Sequence, residues 1–268
     1  MNRIDQLFIR ARQERRVALL PYLTAGYPER DSALELLPAL VRAGADGIEL
    51  GIPFSDPIAD GPSIQRSTAG ALRNGMTVGG SLSLLGNLRA LAQVPIIPMG
   101  YYNPFLQYGA ERLCQHAAEH GADGLIVPDL PLHEAATLSE MARRFGLHLV
   151  LFIAPTSTDE RLRRVGELAS GFVYCVSLRG VTGARSDLSH DLDVLLDRAR
   201  AYISQPIVVG FGISKPEHVA HLHGRADGAI VASAIVDLLD RTAPNDRAAA
   251  VEVYTRTLVE AGQPTPSA

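Results

Sequence analysis

The chain has one lysine, no tryptophan and two cysteines among its 268 residues, and arginine supplies 24 of its 25 lysine and arginine side chains. Each shortage excludes something. A Schiff-base aldolase or a pyridoxal enzyme needs a desolvated lysine beside the chemistry. The sole lysine, Lys215, sits in Ser214-Lys-Pro-Glu217, a capping-box pattern with Ser214 as cap, which assigns it to an exposed first helical turn. Covalent amine catalysis is therefore not expected. Cys114 and Cys175 are too few and too far apart for a metal or redox motif, and read as buried thiols in a reducing cytoplasm. No run of 18 apolar residues occurs, so no membrane span is expected. The net charge of −4, with no interleaving of aromatic and basic residues, gives no footprint for nucleic acid. Gly-rich dinucleotide and Walker fingerprints are absent. His218, His221 and His223, or His116 and His120, have ligand-like spacing, but both groups lie on segments read as solvent-facing helices, and no metal site is expected.

What is present is an ordinary globular composition, 47% hydrophobic and 20% charged. Short apolar runs at 17–24, 47–50, 95–101, 124–127, 147–153, 172–177, 206–210 and 228–232 alternate with helical patterns at 32–43, 80–92, 109–121, 133–145, 159–169, 191–201 and 215–222. Buried strands alternating with helices imply a parallel sheet, and eight such units in one chain point to a closed α/β barrel, the (β/α)8 TIM fold. Pro98 is an anomaly in the third strand, because proline removes a ladder donor. The phrase Ala-Asp-Gly recurs at 45–47, 122–124 and 226–228, each time where a helix ends and a strand begins, marking reused units. Ahead of them, Ile4, Leu7, Phe8 and Ala11 share one helical face at 2–15, with Arg3, Arg10, Arg12, Arg15 and Arg16 elsewhere. Asp5 and Glu14 argue against a targeting segment, so this reads as an extra N-terminal helix covering one end of the fold. A single domain, 1–268, is expected, with a disordered tail at about 262–268.

The chemistry concentrates where strands end, because active sites of such barrels form at the carboxyl ends of the strands. The second strand ends in Glu49, and Asp60 follows eleven residues later in a loop broken by Pro53, Pro57, Gly61 and Pro62. Two nearby carboxylates can take and give protons. Burial would lift the Glu49 pKa toward the range useful for acid-base work, while Asp60 would sit on a mobile segment and stay ionised until closure. Asp-Gly-Pro is also ordinary turn chemistry, and Glu49 has the alternative of being satisfied by backbone or arginine. Tyr101, Asp129, Tyr174, Phe211 and Ser233 also fall at or just past strand ends. Gly210-Phe-Gly-Ile-Ser214 after the seventh strand and Ala232-Ser233 after the eighth stand where such barrels cradle phosphate, the alternative being turn glycines without a ligand. Ser177 to Ser189 is a polar, glycine-hinged run after the sixth strand that reads as a lid or as a plain surface loop. Tyr22, Met99, Tyr101, Ile153, Tyr174 and Phe211 line either a pocket for a flat apolar ligand or the barrel core.

Glu49-Leu-Gly-Ile-Pro-Phe-Ser-Asp-Pro-Ile-Ala-Asp-Gly-Pro-Ser-Ile-Gln65 closely resembles the tryptophan synthase alpha subunit family. Met99-Gly-Tyr-Tyr-Asn-Pro104, Val127-Pro-Asp-Leu-Pro131, Gly180-Val-Thr-Gly183, Gly210-Phe-Gly-Ile-Ser214 and Ser233-Ala-Ile-Val236 extend the likeness over nearly the whole chain. The resemblance implies retro-aldol cleavage of indole-3-glycerol phosphate to indole and glyceraldehyde 3-phosphate, with no metal or organic cofactor in this chain. It implies Glu49 as the acid-base group, Asp60 as the partner of the indole N–H, and Tyr174 as an aromatic beside the glutamate. Gly183, Gly212, Ala232 and Ser233 match the phosphate site, and Tyr22, Met99, Tyr101, Ile153, Thr182 and Phe211 the indole pocket. It also implies a cytoplasmic enzyme of tryptophan biosynthesis paired with a pyridoxal-phosphate beta subunit, usually as an alpha2beta2 heterotetramer, with Asp56 and Asn103-Pro104 near that partner. Ala232 stands where the family usually has glycine, Phe172 where tyrosine is frequent, and Leu178-Arg179 where smaller residues are common. A stand-alone lyase, a catalytically silent phosphate-binding regulatory subunit and a different phosphosugar barrel are the competing readings.

Overall fold

The computed structural model describes residues 1–176, 190–210 and 212–264. Eight parallel strands close on themselves in sequence order: β1 (Ala18–Thr24), β2 (Ile48–Gly51), β3 (Ile96–Met99), β4 (Gly124–Ile126), β5 (His148–Ile153), β6 (Val173–Cys175), β7 (Ile207–Val209) and β8 (Gly228–Val231). The helices around them are α1 (Arg3–Gln13), α2 (Ala33–Arg42), α3 (Pro62–Arg73), α4 (Val78–Leu91), α5 (Tyr102–Tyr108), α6 (Ala110–Glu119), α7 (Leu132–Arg144), α8 (Asp159–Leu168), α9 (His190–Arg200), α10 (Pro216–His221), α11 (Ser233–Arg241) and α12 (Arg247–Ala261). The expected TIM barrel is thus observed, strand for strand. Among the described residues no helix is long and apolar enough to cross a membrane.

Two apolar layers follow from strand alternation. Residues such as Ile48, Leu50, Leu149 and Leu151 point outward into the shell shared with the helices, while Leu20, Ile97, Ile126, Val150, Phe172, Val208 and Ile230 fill the barrel itself. The apolar face of α1 joins that inner cluster, with Phe8 and Phe172 ring centroids 5.7 Å apart, so α1 plugs the amino-terminal end of the barrel as expected.

The Ala-Asp-Gly repeat has a structural reason. Its aspartates accept the N–H of a residue in the preceding strand: Asp46 from Leu19 at 3.0 Å, Asp123 from Ile96 at 3.0 Å and Asp227 from Ile207 at 2.8 Å. The glycine that precedes each phrase or lies within two residues of it, Gly44, Gly121 and Gly224, takes the left-handed conformation that ends the helix. Pro98 occupies the side of β3 from which Ile96 and Gly100 donate toward β4, and only Met99 pairs with β4 in register.

Helices α3, α5, α11 and α12 lie outside the helical patterns of the sequence. At α3 the run of prolines and glycines masks the start, yet Pro62 is the first helical residue, where its missing N–H costs nothing. The capping box at 214–217 does not form. Lys215 is the cap position without a side-chain bond, and the Ser214 N–H donates to His218 Nδ1 at 3.2 Å. Of the expected tail, Gly262 belongs to the fold, because its carbonyl accepts the Val17 N–H at 2.9 Å, while 265–268 lie outside the described residues.

Candidate active site

Glu49 lies in register between Tyr22 of β1 and Ile97 of β3, and alternation with outward-facing Ile48 and Leu50 turns its side chain into the barrel mouth. It is 2% exposed, and its Oε2 has no hydrogen-bond partner. Among the described residues neither backbone nor arginine satisfies that oxygen, which speaks against the structural alternative raised by sequence. Burial, reinforced by the charge of Asp60, pushes its pKa up to about 8.

Asp60 directly precedes the cap of α3, and its segment is tied at several points. Its N–H donates to the Pro57 carbonyl at 3.1 Å, its carbonyl accepts Gln65 Nε2 at 2.8 Å, and the neighbouring Ala59 N–H donates to the Tyr101 hydroxyl at 3.0 Å. In this arrangement the main chain around Asp60 is bonded to α3 and to Tyr101. Burial raises the Asp60 carboxyl to about 6, opposed by the nearby Tyr101 hydroxyl. At neutral pH the pair therefore divides its labour, with Glu49 mostly protonated and Asp60 mostly ionised. A proton donor and an anion side by side suit the protonation of a carbon that becomes positively charged.

Three tyrosines wall this pair. Tyr22 and Tyr174 are buried, and burial first, then the two carboxylates, holds both phenols well above their ordinary pKa, so they remain neutral. Tyr174 stacks on Phe152 with centroids 4.7 Å apart. Its ring occupies the space over Gly210, and the Tyr22 ring the space over Gly51, so neither glycine could carry a Cβ without displacing a tyrosine. Met99 bridges the barrel interior and a smaller cluster of Tyr22, Ile64 and Val236. Ile153 is a correction. It is buried in the outer shell between barrel and helices, and it is Phe152, one residue earlier, that faces inward beside Tyr174. Strand alternation was the signal that could have found Phe152.

The phosphate candidates lie on adjacent strands, since β7 pairs with β8. Gly212 follows β7 with φ +80°. Ser233 opens α11 and is exposed, and Ala232 before it packs its methyl against the Tyr22 cluster, leaving the first-turn N–H groups of α11 without a side-chain cap. Such an N-terminus suits a phosphate. Thr182, Gly183, Phe211 and the run 177–189 lie outside the described residues.

A family model described as the tryptophan synthase alpha chain matches residues 8–263. The chain belongs to the tryptophan synthase alpha chain family. It is 52% identical over 262 residues to the tryptophan synthase alpha chain of Chloroflexus aggregans, covering 97% of this chain and 98% of that one. The counterpart from Roseiflexus castenholzii is 51% identical over 259 residues, covering 96% and 99%. Among solved structures, tryptophan synthase subunit alpha from Legionella pneumophila superposes with a TM-score of 0.89 at 36% identity, covering 97% of this chain and 98% of that one.

Other polar residues of this alpha chain take structural parts. Asp129 Oδ1 accepts the Tyr102 N–H at 2.7 Å and so starts α5. Lys215 is exposed on the outside, far along the chain from the carboxylates. The histidines with ligand-like spacing are engaged singly, His116 with the Tyr108 hydroxyl at 2.8 Å and His221 with Asp193 at 3.2 Å. Among the described residues no three His, Cys, Asp or Glu side chains gather to hold a metal ion.

Proposed function

We infer that this chain cleaves indole-3-glycerol phosphate to indole and glyceraldehyde 3-phosphate. The observation that carries this is the buried, unpartnered carboxyl of Glu49, raised to about 8, next to Asp60, raised to about 6. Protonated Glu49 gives its proton to the indole ring carbon that bears the glycerol chain. The ring becomes an indoleninium cation, and ionised Asp60 stabilises it through the ring N–H. The carbon-carbon bond then breaks, its electron pair returns to the ring, and Glu49 takes back the proton of the glycerol hydroxyl as that carbon becomes an aldehyde. Tyr22, Tyr174, Phe152 and Met99 supply the apolar walls for a flat ring. Gly212 and the N-terminus of α11 at Ser233 receive the phosphate, joined by Gly183.

No cofactor enters this sequence of steps, since both proton transfers and the charge stabilisation are within reach of two carboxylates. Members of the family work with a beta subunit, and we assign this chain the same pairing, as an alpha2beta2 complex in the cytoplasm with pyridoxal phosphate confined to the beta subunit. Ile58, on the segment between Glu49 and Asp60, is 83% exposed, and Leu106 of α5 is 47% exposed; both are apolar and suit a covered surface. Indole release from indole-3-glycerol phosphate, measured alone and with a beta subunit, tests the reading. Stimulation by the beta subunit supports the pairing, unchanged release identifies a stand-alone lyase, and no release in the complex overturns the activity.

A further inference from the structure

The end of the barrel opposite Glu49 gathers arginines that the proposed reaction leaves unused. Each Ala-Asp-Gly aspartate there meets two guanidinium groups. Asp46 takes Arg16 through both oxygens at 2.7 and 2.8 Å and Arg10 at 3.5 Å, and Asp123 takes Arg3 and Arg89, each at 2.9 Å. The third copy differs. Asp227 binds Arg200 at 2.6 Å and Arg12 at 3.6 Å, and it borders a cavity of about 380 Å³ whose walls add Arg15, Arg16 and Arg225. Arg16 is committed to Asp46 and to Glu14, which offset Arg16 and Arg10, and Arg225 is committed to Asp193 at 2.8 Å. Asp227 offers one negative charge to Arg12 and Arg200, and Arg15 has no side-chain partner among the described residues, so two positive charges face the cavity without a matching carboxylate. Phe8, Ala11 and Ala226 give it an apolar floor, where charge-assisted bonds are strengthened.

A second, independent observation concerns the backbone. The Arg16 N–H donates to the Ala11 carbonyl at 3.0 Å and the Arg15 N–H to the Arg12 carbonyl at 3.2 Å, the bonding pattern that ends a helix with one left-handed residue. That slot favours glycine, yet it holds Arg15 at φ +53°, and Arg15 is the sole non-glycine residue with positive φ among those described. The conformation delivers an unpaired guanidinium to the cavity wall at a cost in backbone strain.

We propose that this cavity binds a phosphate-bearing small molecule, remote from the carboxylates of the active site. Guanidinium groups match phosphate oxygens in a two-pronged geometry, and a dianion balances the two uncompensated charges. The source is a single phosphate group or a polyphosphate, and the probes separate them.

Calorimetric titration at fixed ionic strength with inorganic phosphate, pyrophosphate and a nucleoside triphosphate, on wild type and on an Arg12→Gln/Arg15→Gly variant, tests the site. Wild type binds at least one probe, and the variant binds it at least tenfold more weakly while cleaving indole-3-glycerol phosphate at the wild-type rate. Preference for phosphate or for the longer probes identifies the source. Arg15→Gly alone gives a readout of opposite sign, a higher Tm in anion-free buffer but a smaller rise of Tm on adding the probe. Unweakened binding in the double variant overturns the proposal, as does equal weakening in an Arg163→Gln/Arg164→Gln control on α8. Preferential binding of an RNA oligonucleotide over all three probes also overturns it.

Discussion

The Tyr101 hydroxyl accepts the Ala59 N–H at 3.0 Å, and its closeness to the neighbouring Asp60 carboxyl holds that group's pKa below what burial alone would give. The hydroxyl favours the ionised form and works against the upward push of burial. Tyr101→Phe therefore raises the Asp60 pKa, and the acid limb of the kcat/KM profile moves to higher pH. A rise of about one pKa unit, roughly 1.4 kcal/mol, corresponds to a fall in kcat/KM of up to about 10-fold at neutral pH. A profile with an unmoved acid limb contradicts the assignment.

Glu49→Gln removes the proton carrier, and indole release falls by about 10²- to 10⁴-fold, the usual contribution of general acid-base catalysis. The same variant has a stability signature. Glu49 keeps its proton to about pH 8 in the folded chain, whereas an unfolded glutamate loses it near the ordinary value of 4.5. Between these values the folded state binds more protons, so stability present at low pH is lost as pH rises, by at most about 1.4 kcal/mol per pH unit. The Tm of Glu49→Gln relative to wild type increases from pH 5 to pH 8. A constant difference would show that Glu49 ionises normally.

Gly210→Ala tests the close approach of Tyr174. The new methyl overlaps the Tyr174 ring, and that ring is fixed by stacking on Phe152 at 4.7 Å. Displacement costs about 1–3 kcal/mol and disturbs the pocket wall, so KM rises together with the loss of stability. Wild-type KM in a destabilised variant would remove Tyr174 from the substrate pocket.

At the other end of the barrel, Asp46→Asn removes the two-pronged carboxylate of Arg16, whose side chain is only 8% exposed, and leaves it the half-exposed Glu14 at 2.5 Å. Because Glu14 still offsets part of the buried charge, the cost is below the roughly 3–5 kcal/mol of a buried charge left wholly unpaired. Thermal unfolding registers that loss, while kcat at a temperature well below the new Tm stays at the wild-type value, because the site lies at the opposite ends of the strands.

Sequence by itself determined the number and order of the strands, since each is a short apolar run bounded by turn residues, and that periodicity survives folding unchanged. It also singled out Glu49, because a carboxylate ending an apolar strand is legible from its neighbours alone. What only the tertiary structure decided depends on contacts between distant segments. That Glu49 goes unpaired, that Tyr101 steadies Asp60, and that Phe152 rather than Ile153 stands beside Tyr174 follow from the closure of the barrel and the phase of each strand's alternation. The 24 arginines read as a compositional bias in one dimension. In three dimensions the repeated aspartates collect six of them, Arg3, Arg10, Arg12, Arg16, Arg89 and Arg200, beneath the barrel, because a carboxylate drawn out of water there needs both a strand N–H and a guanidinium to offset its desolvation.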